Sequence, residues 1–159
     1  INRNCQLAVL QLRPYAAPAY RAVQWMAFGS NPFNALVPLY ANVEEMPEYL
    51  AGTEARVTSE NFYWENRLIG ALADVRFHEC GRAVEDYQEK VGGMGHKMLH
   101  DVDAIAAGLD EAAVPAKLAE ANAALADFLR TETDALLGKV LYTVSCAMRN
   151  SFAMNDNIR

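Results

Sequence analysis

Gly29-Ser30-Asn31-Pro32 follows directly on an apolar run and combines two residues that tolerate positive φ with one whose φ is fixed. A turn of that kind can aim backbone N–H groups, or the Asn31 amide, at a developing oxyanion, which is what acyl transfer requires. A tight hairpin connection uses the same residues without any chemistry. His96 and His100 lie four apart, so on a helix they share a face, and Asp101 or Asp103 can be drawn in as oxygen ligands. The glutamate of a His-Glu-x-x-His site is missing, hydrogen-bonded or solvated histidines satisfy the same pattern, and no metal is expected. His78, beside Glu79 and Cys80, is read in the same way. Phe62, Tyr63 and Trp64 can line a substrate pocket, Trp64 being the candidate contact, or fill the space between a helix and a sheet. Cys5, Cys80 and Cys146 are widely spaced with no Cys-x-x-Cys pair, which suggests neither a disulfide framework nor a zinc site. Cys5 falls inside an apolar run, where a small buried side chain is expected.

The elements that must position these residues follow from periodicity. Cys5–Leu12 reads as a strand buried on both faces, with Leu7 and Val9 on one side and Ala8, Leu10 and Leu12 on the other. Pro14 and Pro18 mark a loop before a second strand, Ala22–Phe28. Ala35–Tyr40 gives a short third strand in which Pro38 belongs at an edge or bulge, because it has no N–H for a ladder. From Asn42 to Val57 the chain reads as loop, with one helical turn around Met46, Tyr49 and Leu50. Thr58 or Ser59 then caps a helix from about Glu60 to His78, whose stripe Trp64, Leu68, Ala71, Leu72 and Val75 is expected to face a core. Gly81 weakens the continuation through Arg82–Val91, and Gly92-Gly93-Met94-Gly95 is expected to end it. His96–Ala107 is a further helix closed by Gly108, and a long one runs from Pro115 to about Met148, with Gly138 its weak point. Its expected buried side holds Leu118, Leu125, Phe128, Leu129, Leu136, Val140, Leu141 and Val144. The class is α+β, with strands over about 5–40 and helices over about 59–150.

The bulk numbers exclude several functions. In 159 residues, 52% are hydrophobic and 21% charged, enough for one core. A formal charge of −6, from 14 basic and 20 acidic residues, with no basic stripe, speaks against nucleic acid. No stretch approaches the roughly 18 to 20 apolar residues of a membrane span. The reading is a soluble protein with reduced thiols, in the cytoplasm. The chain begins at Ile1 and shows no signal-peptide pattern, so it is expected to be cut from something longer. Three apolar strands ahead of a helical half leave one sheet face and the sheet edges without cover, which asks for partners.

Leu10-Gln11-Leu12-Arg13-Pro14, Trp25 to Asn34, Val37-Pro38-Leu39-Tyr40, Asn61 to Leu68 and Ala147-Met148-Arg149-Asn150-Ser151-Phe152 together resemble the C-terminal portion of bacterial thiol dipeptidases of the N-terminal-nucleophile (Ntn) hydrolase superfamily. The resemblance, to the dipeptidase A-like cysteine peptidases, implies the C-terminal part of an αββα sandwich: one partial domain, 1–159, lacking an N-terminal segment. It implies hydrolysis of dipeptides by acyl transfer to a cysteine and then to water, without cofactor. The nucleophile in such enzymes is a cysteine at the first position of the mature chain, with its own α-amino group as base. None of the three cysteines here stands at that position. The resemblance carries over Arg67, at a point where related enzymes hold an arginine near the thiol, with Asn66 as its companion; a cation there lowers a thiol pKa or holds a substrate carboxylate. Asn31 and Trp64 are the substrate-side candidates. Partners implied are the missing segment of the same enzyme, dipeptides and further copies in a homo-oligomer. The rival reading is a non-catalytic helical assembly module, in which Arg67 lies on open surface rather than in a deep pocket near a sheet edge. A weaker rival is a metal-binding helical protein built on His96 and His100.

Overall fold

The computed structural model describes residues 5–29 and 31–148, leaving aside the side chain of Asn31. Three strands open the chain: β1 (Gln6–Leu12), β2 (Ala22–Phe28) and β3 (Val37–Tyr40), with a 3-10 turn at Asn31–Phe33. Helices follow: a single turn α1 (Glu48–Ala51), then α2 (Phe62–Val75), α3 (Phe77–Ala106) and α4 (Val114–Cys146). The α+β class and the order of strands before helices are as the sequence indicates.

The sheet is antiparallel, in the order β1-β2-β3. Val9 lies opposite Trp25, and Trp25 opposite Pro38. Pro38 therefore occupies an edge strand, where a missing N–H is tolerated. The outer side of β3 is closed by a side chain: the Asn122 amide of α4 accepts from the Tyr40 N–H and donates to the Tyr40 carbonyl, both at 3.0 Å. One buried amide thus stands in for a neighbouring strand.

The register puts Val23, Trp25, Pro38 and Tyr40 on one face, and that face meets α3. The Trp25 ring lies 5.1 Å from the His96 ring, and a Cβ on Gly95 would come 2.6 Å from Pro38 Cδ. Gly95 therefore allows the close approach of helix to strand. This explains why α3 runs unbroken for 30 residues where the sequence suggests a break at Gly92–Gly95 and two shorter helices. The glycine cost, about 1 kcal/mol each, is offset by the buried row Val84, Tyr87, Val91, Leu99 and Val102. α4 likewise runs through Gly138, with Pro115 in its first turn, where no helical N–H is lost. Leu118, Leu125, Leu129, Leu136 and Val140 are buried as expected, whereas Leu141 is half exposed. α3 and α4 are antiparallel: Arg76 bonds the Ala147 carbonyl, Tyr87 meets Thr133 and Lys90 pairs with Glu132.

Two further expectations are corrected. β1 is not buried on both faces: Leu10 is 79% and Leu12 73% exposed, because β1 is the strand farthest from β3 and from the helices that cover it. α2 buries Phe62, Glu65, Asn66, Ile69, Gly70 and Ala73, while Leu68 and Val75 are exposed. The helix presents two apolar stripes, and the one that lands on the core carries polar residues with partners inside it. Its cap is Asn61, whose side chain accepts from the Tyr63 N–H, and not Thr58 or Ser59. Thr58 instead accepts from the Glu60 N–H in the preceding turn. A buried ion pair, with no clear sequence signature, ties the Pro14–Tyr20 loop to α3. Arg13 forks onto both oxygens of Asp103, and the Tyr40 hydroxyl donates to the same carboxylate at 2.7 Å.

Candidate active site

The end of β2 and the start of α2 come together at Gly29. This residue has φ +76°, a left-handed conformation that favours glycine. A Cβ added to it would lie 3.3 Å from both the Arg67 nitrogen and the Asn66 carbonyl carbon. The turn and the Asn66-Arg67 peptide are thus in backbone contact, and a side chain at Gly29 would press on that peptide as well as strain the turn. The Gly29 N–H donates to the Cys5 carbonyl at 3.0 Å, which fixes the start of β1 beside the same corner. Phe28 packs its ring edge-on against Phe62 and Tyr63, at 5.9 and 6.2 Å.

Around that corner stand a thiol, a phenol and a guanidinium. Cys5 is exposed and free, contrary to the buried position expected of it, because β1, which it leads into, is itself exposed along nearly its whole length. The Tyr63 phenol is pushed up, first by burial and then by the neighbouring Cys5 thiol, while Arg67 pulls it down. Arg67 is exposed on α2. Asn66 beside it is buried; its amide donates to the Phe62 carbonyl at 2.7 Å, and its Oδ1 has no hydrogen-bond partner among the described residues. An unpaired buried acceptor costs free energy unless something completes it.

The turn is braced by residues the sequence did not mark. Asn34 is buried, donates to the Phe28 carbonyl and accepts from the Ala35 N–H. Gln88 of α3 donates to the Pro32 and Asn34 carbonyls. The Asx pattern around Pro32 is a local signal for Asn34; for Gln88, 54 residues away, there is none. The Asn31 side chain and Ser30, on which the oxyanion reading rests, lie outside the described residues, as do Arg149 to Phe152. The Trp64 indole donates to the Glu54 carbonyl at 2.6 Å, and its ring lies 5.1 Å from that of Tyr63.

Two concavities lie elsewhere. An apolar groove of about 380 Å³ runs between α3 and α4, floored by Met94, Met98 and Phe128. A polar cleft of about 600 Å³ is lined by Tyr49, Arg56, Asn61, Asp127 and Arg130 among others. Arg67 lines neither. The two histidines do not meet at a ligand position: His96 is occupied with Trp25, and His100 is exposed and bonded to Asp101. Asp103 is taken by Arg13 and Tyr40. No helix among the described residues is long and apolar enough to cross a membrane.

Comparison with known proteins bears on this corner. A dipeptidase of Bifidobacterium longum (strain NCC 2705) is 45% identical over an alignment of 194 positions, covering 98% of this chain and 36% of that protein. A protein named probable dipeptidase A from Streptococcus pyogenes serotype M3 (strain SSI-1) is 41% identical over 157 positions, 98% of this chain and 33% of its own length. Dipeptidase A of Lactobacillus helveticus is 31% identical over 141 positions, 89% of this chain and 30% of its own length. The chain thus spans about a third of the length of these curated relatives. The family model for peptidase family C69 matches residues 1–90, which takes in the three strands, the Gly29 turn and all of α2. With more than half its length inside that match, the chain belongs to peptidase family C69.

Proposed function

We propose that this chain is the C-terminal part of a cysteine dipeptidase with the αββα architecture of the Ntn hydrolases, its nucleophile supplied by a segment outside these 159 residues. The observation that carries the reading is the relation in length: similarity to proteins named dipeptidases covers 98% of this chain but only 36% and 33% of theirs. The outer edge of the apolar strand β1, unpaired among the described residues, supports it, since an exposed strand edge of this composition is a pairing template. Residues 1–159 then form one partial domain, completed by the remaining polypeptide.

In this reading the substrate is a dipeptide, attacked by the thiolate of an N-terminal cysteine whose α-amino group takes the thiol proton. The acyl-enzyme is released by water, and no cofactor takes part. Arg67 and Asn66 act near the reacting atoms. The guanidinium favours the thiolate or clamps the substrate carboxylate. Gly29 holds the Asn66-Arg67 peptide in place, and Asn31 and Trp64 are the substrate-side candidates that the family resemblance offers. The enzyme works in the cytoplasm as a homo-oligomer, without membrane or nucleic acid.

The exposure of Arg67 favours the rival reading of an assembly module when these residues are taken alone; under the dipeptidase reading that exposure is covered by the remaining segment. Turnover separates the two. The 159-residue chain by itself is expected to hydrolyse no dipeptide above background, whereas the longer polypeptide that includes it hydrolyses dipeptides. Turnover by the short chain, or an inert longer polypeptide, overturns the proposal.

A further inference from the structure

Glu65 has no part in the dipeptidase reading, yet it is the most deeply buried acid among the described residues, at 1% exposure. One carboxyl oxygen accepts from the Tyr49 hydroxyl at 2.7 Å. The other is buried with no partner among the described residues. Every element packed around it brings a polar or charged group. Tyr49 comes from α1, Glu60 from the segment before α2, Arg130, Thr133 and Asp134 from α4, and Tyr87 from α3. Arg130 is already engaged, paired with Glu60 at 2.6 Å and stacked over the Tyr49 ring at 5.5 Å. A negative charge on Glu65 would be buried and short of partners, with Glu60 and Asp134 opposing it; the neutral acid carries a far smaller desolvation cost.

The Tyr49 bond is one of few ties on its segment, beside the Trp64 indole on the Glu54 carbonyl and Arg130 on Glu60. α1 has only four residues and no side-chain cap. Tyr49 and Leu50 are its buried contacts, and most of the chain from Ala51 to Glu60 is exposed. The segment ends on Asn61, the cap of α2, which also receives the Thr53 hydroxyl at 3.2 Å.

We propose that Glu65 is a pH-responsive latch: uncharged, it holds the Glu48–Asn61 segment on α2 and α4, and on losing its proton to solvent it releases that segment. Burial pushes the Glu65 carboxyl up to about 7; the Tyr49 hydroxyl opposes this, Asp134 and Glu60 add to it, and Arg130 opposes it. In the released segment the carboxyl returns to its ordinary range, so opening becomes easier as pH rises from that range to about 7.

Hydrogen exchange in the full chain tests this, read as the opening constant of amides in residues 48–61 after correction for intrinsic rates. Between about pH 5.5 and about pH 7.5 that constant is expected to rise roughly twentyfold while staying well above the opening constant of amides in the middle of α3 and α4, which open only with the whole fold. Glu65→Gln removes the rise. Tyr49→Phe, which deletes the donor that favours the carboxylate, moves the rise to higher pH. A flat profile in the unaltered protein, or an unchanged rise in Glu65→Gln, overturns the latch. If the glutamine variant does not fold, an unshifted profile in Tyr49→Phe does so.

Discussion

Gly29 and Gly95 do opposite things with the same missing side chain. Gly29 is held at positive φ with the Asn66-Arg67 peptide 3.3 Å from where a Cβ would sit. Gly29→Ala is therefore expected to lower stability by about 1–3 kcal/mol through strain, read as a fall in Tm. Gly95 has an ordinary helical conformation, but its Cβ would enter the Pro38 ring. Gly95→Ala is expected to cost about 1–3 kcal/mol through overpacking, in spite of alanine's better helix propensity. Gly92 and Gly93 face open space, so alanine at either should raise stability by up to about 1 kcal/mol. Thermal melts of the set check the sign at each position. The positive φ at Gly29 could be anticipated from the Gly-Ser-Asn-Pro turn. The role of Gly95 could not, because the cluster Gly92 to Gly95 reads as a helix breaker until Pro38 is placed against it. Glu65 is equally opaque, since a glutamate between three aromatics and Asn66-Arg67 at a helix start looks like a solvated charge. Burial pushes its carboxyl up to about 7 in the fold, so it keeps a proton that the unfolded chain loses sooner. Stability is thus full below about 4.5, falls as pH rises through the window to about 7, and is level above it, an overall loss of about 3 kcal/mol. Denaturant unfolding of Glu65→Gln across that window should lack this slope.

Elements were legible where one rule decided them and obscure where two competed. The three strands fall within a residue or two of their expected bounds because apolar runs and Gly/Pro punctuation agree there. α2 was placed correctly but in the wrong rotation: its stripe through Leu68 and Val75 is as apolar as the one through Phe62 and Ile69, and periodicity cannot choose between them. Packing against α4 and β2 chose the stripe carrying Glu65 and Asn66. The free edge of β3 depends on Asn122, 82 residues later in the chain. Asn122→Ala should leave the Tyr40 backbone N–H and carbonyl unpaired and cost about 2–4 kcal/mol. Asn122→Asp, which keeps the acceptor and loses the donor, should not restore it. Chemical denaturation of both variants measures this.

At the scale of the whole molecule, the helices cover one part of the sheet and leave another bare. β2 and β3 are sealed by α2, α3 and α4, whereas β1 offers apolar side chains and an edge unpaired among the described residues. Three double-faced strands followed by helices indicate one bare sheet face and bare edges; instead Asn122 closes the β3 edge, and the exposure concentrates on β1, on both its faces. The candidate site was only half legible. The adjacency of the Gly29 turn to Asn66 and Arg67 is a tertiary contact that spacing does not reveal, and the aromatic-arginine motif pointed to it only through family resemblance. Arg67 sits at the border between covered and bare regions, which is where a completing segment would meet it. The most direct test is the rate of dipeptide hydrolysis by the longer polypeptide carrying Arg67→Ala. The account predicts a fall in kcat/KM of roughly 100-fold with folding intact, the size expected when a charged contact to the reacting groups is removed. Unchanged kcat/KM in that variant would contradict it.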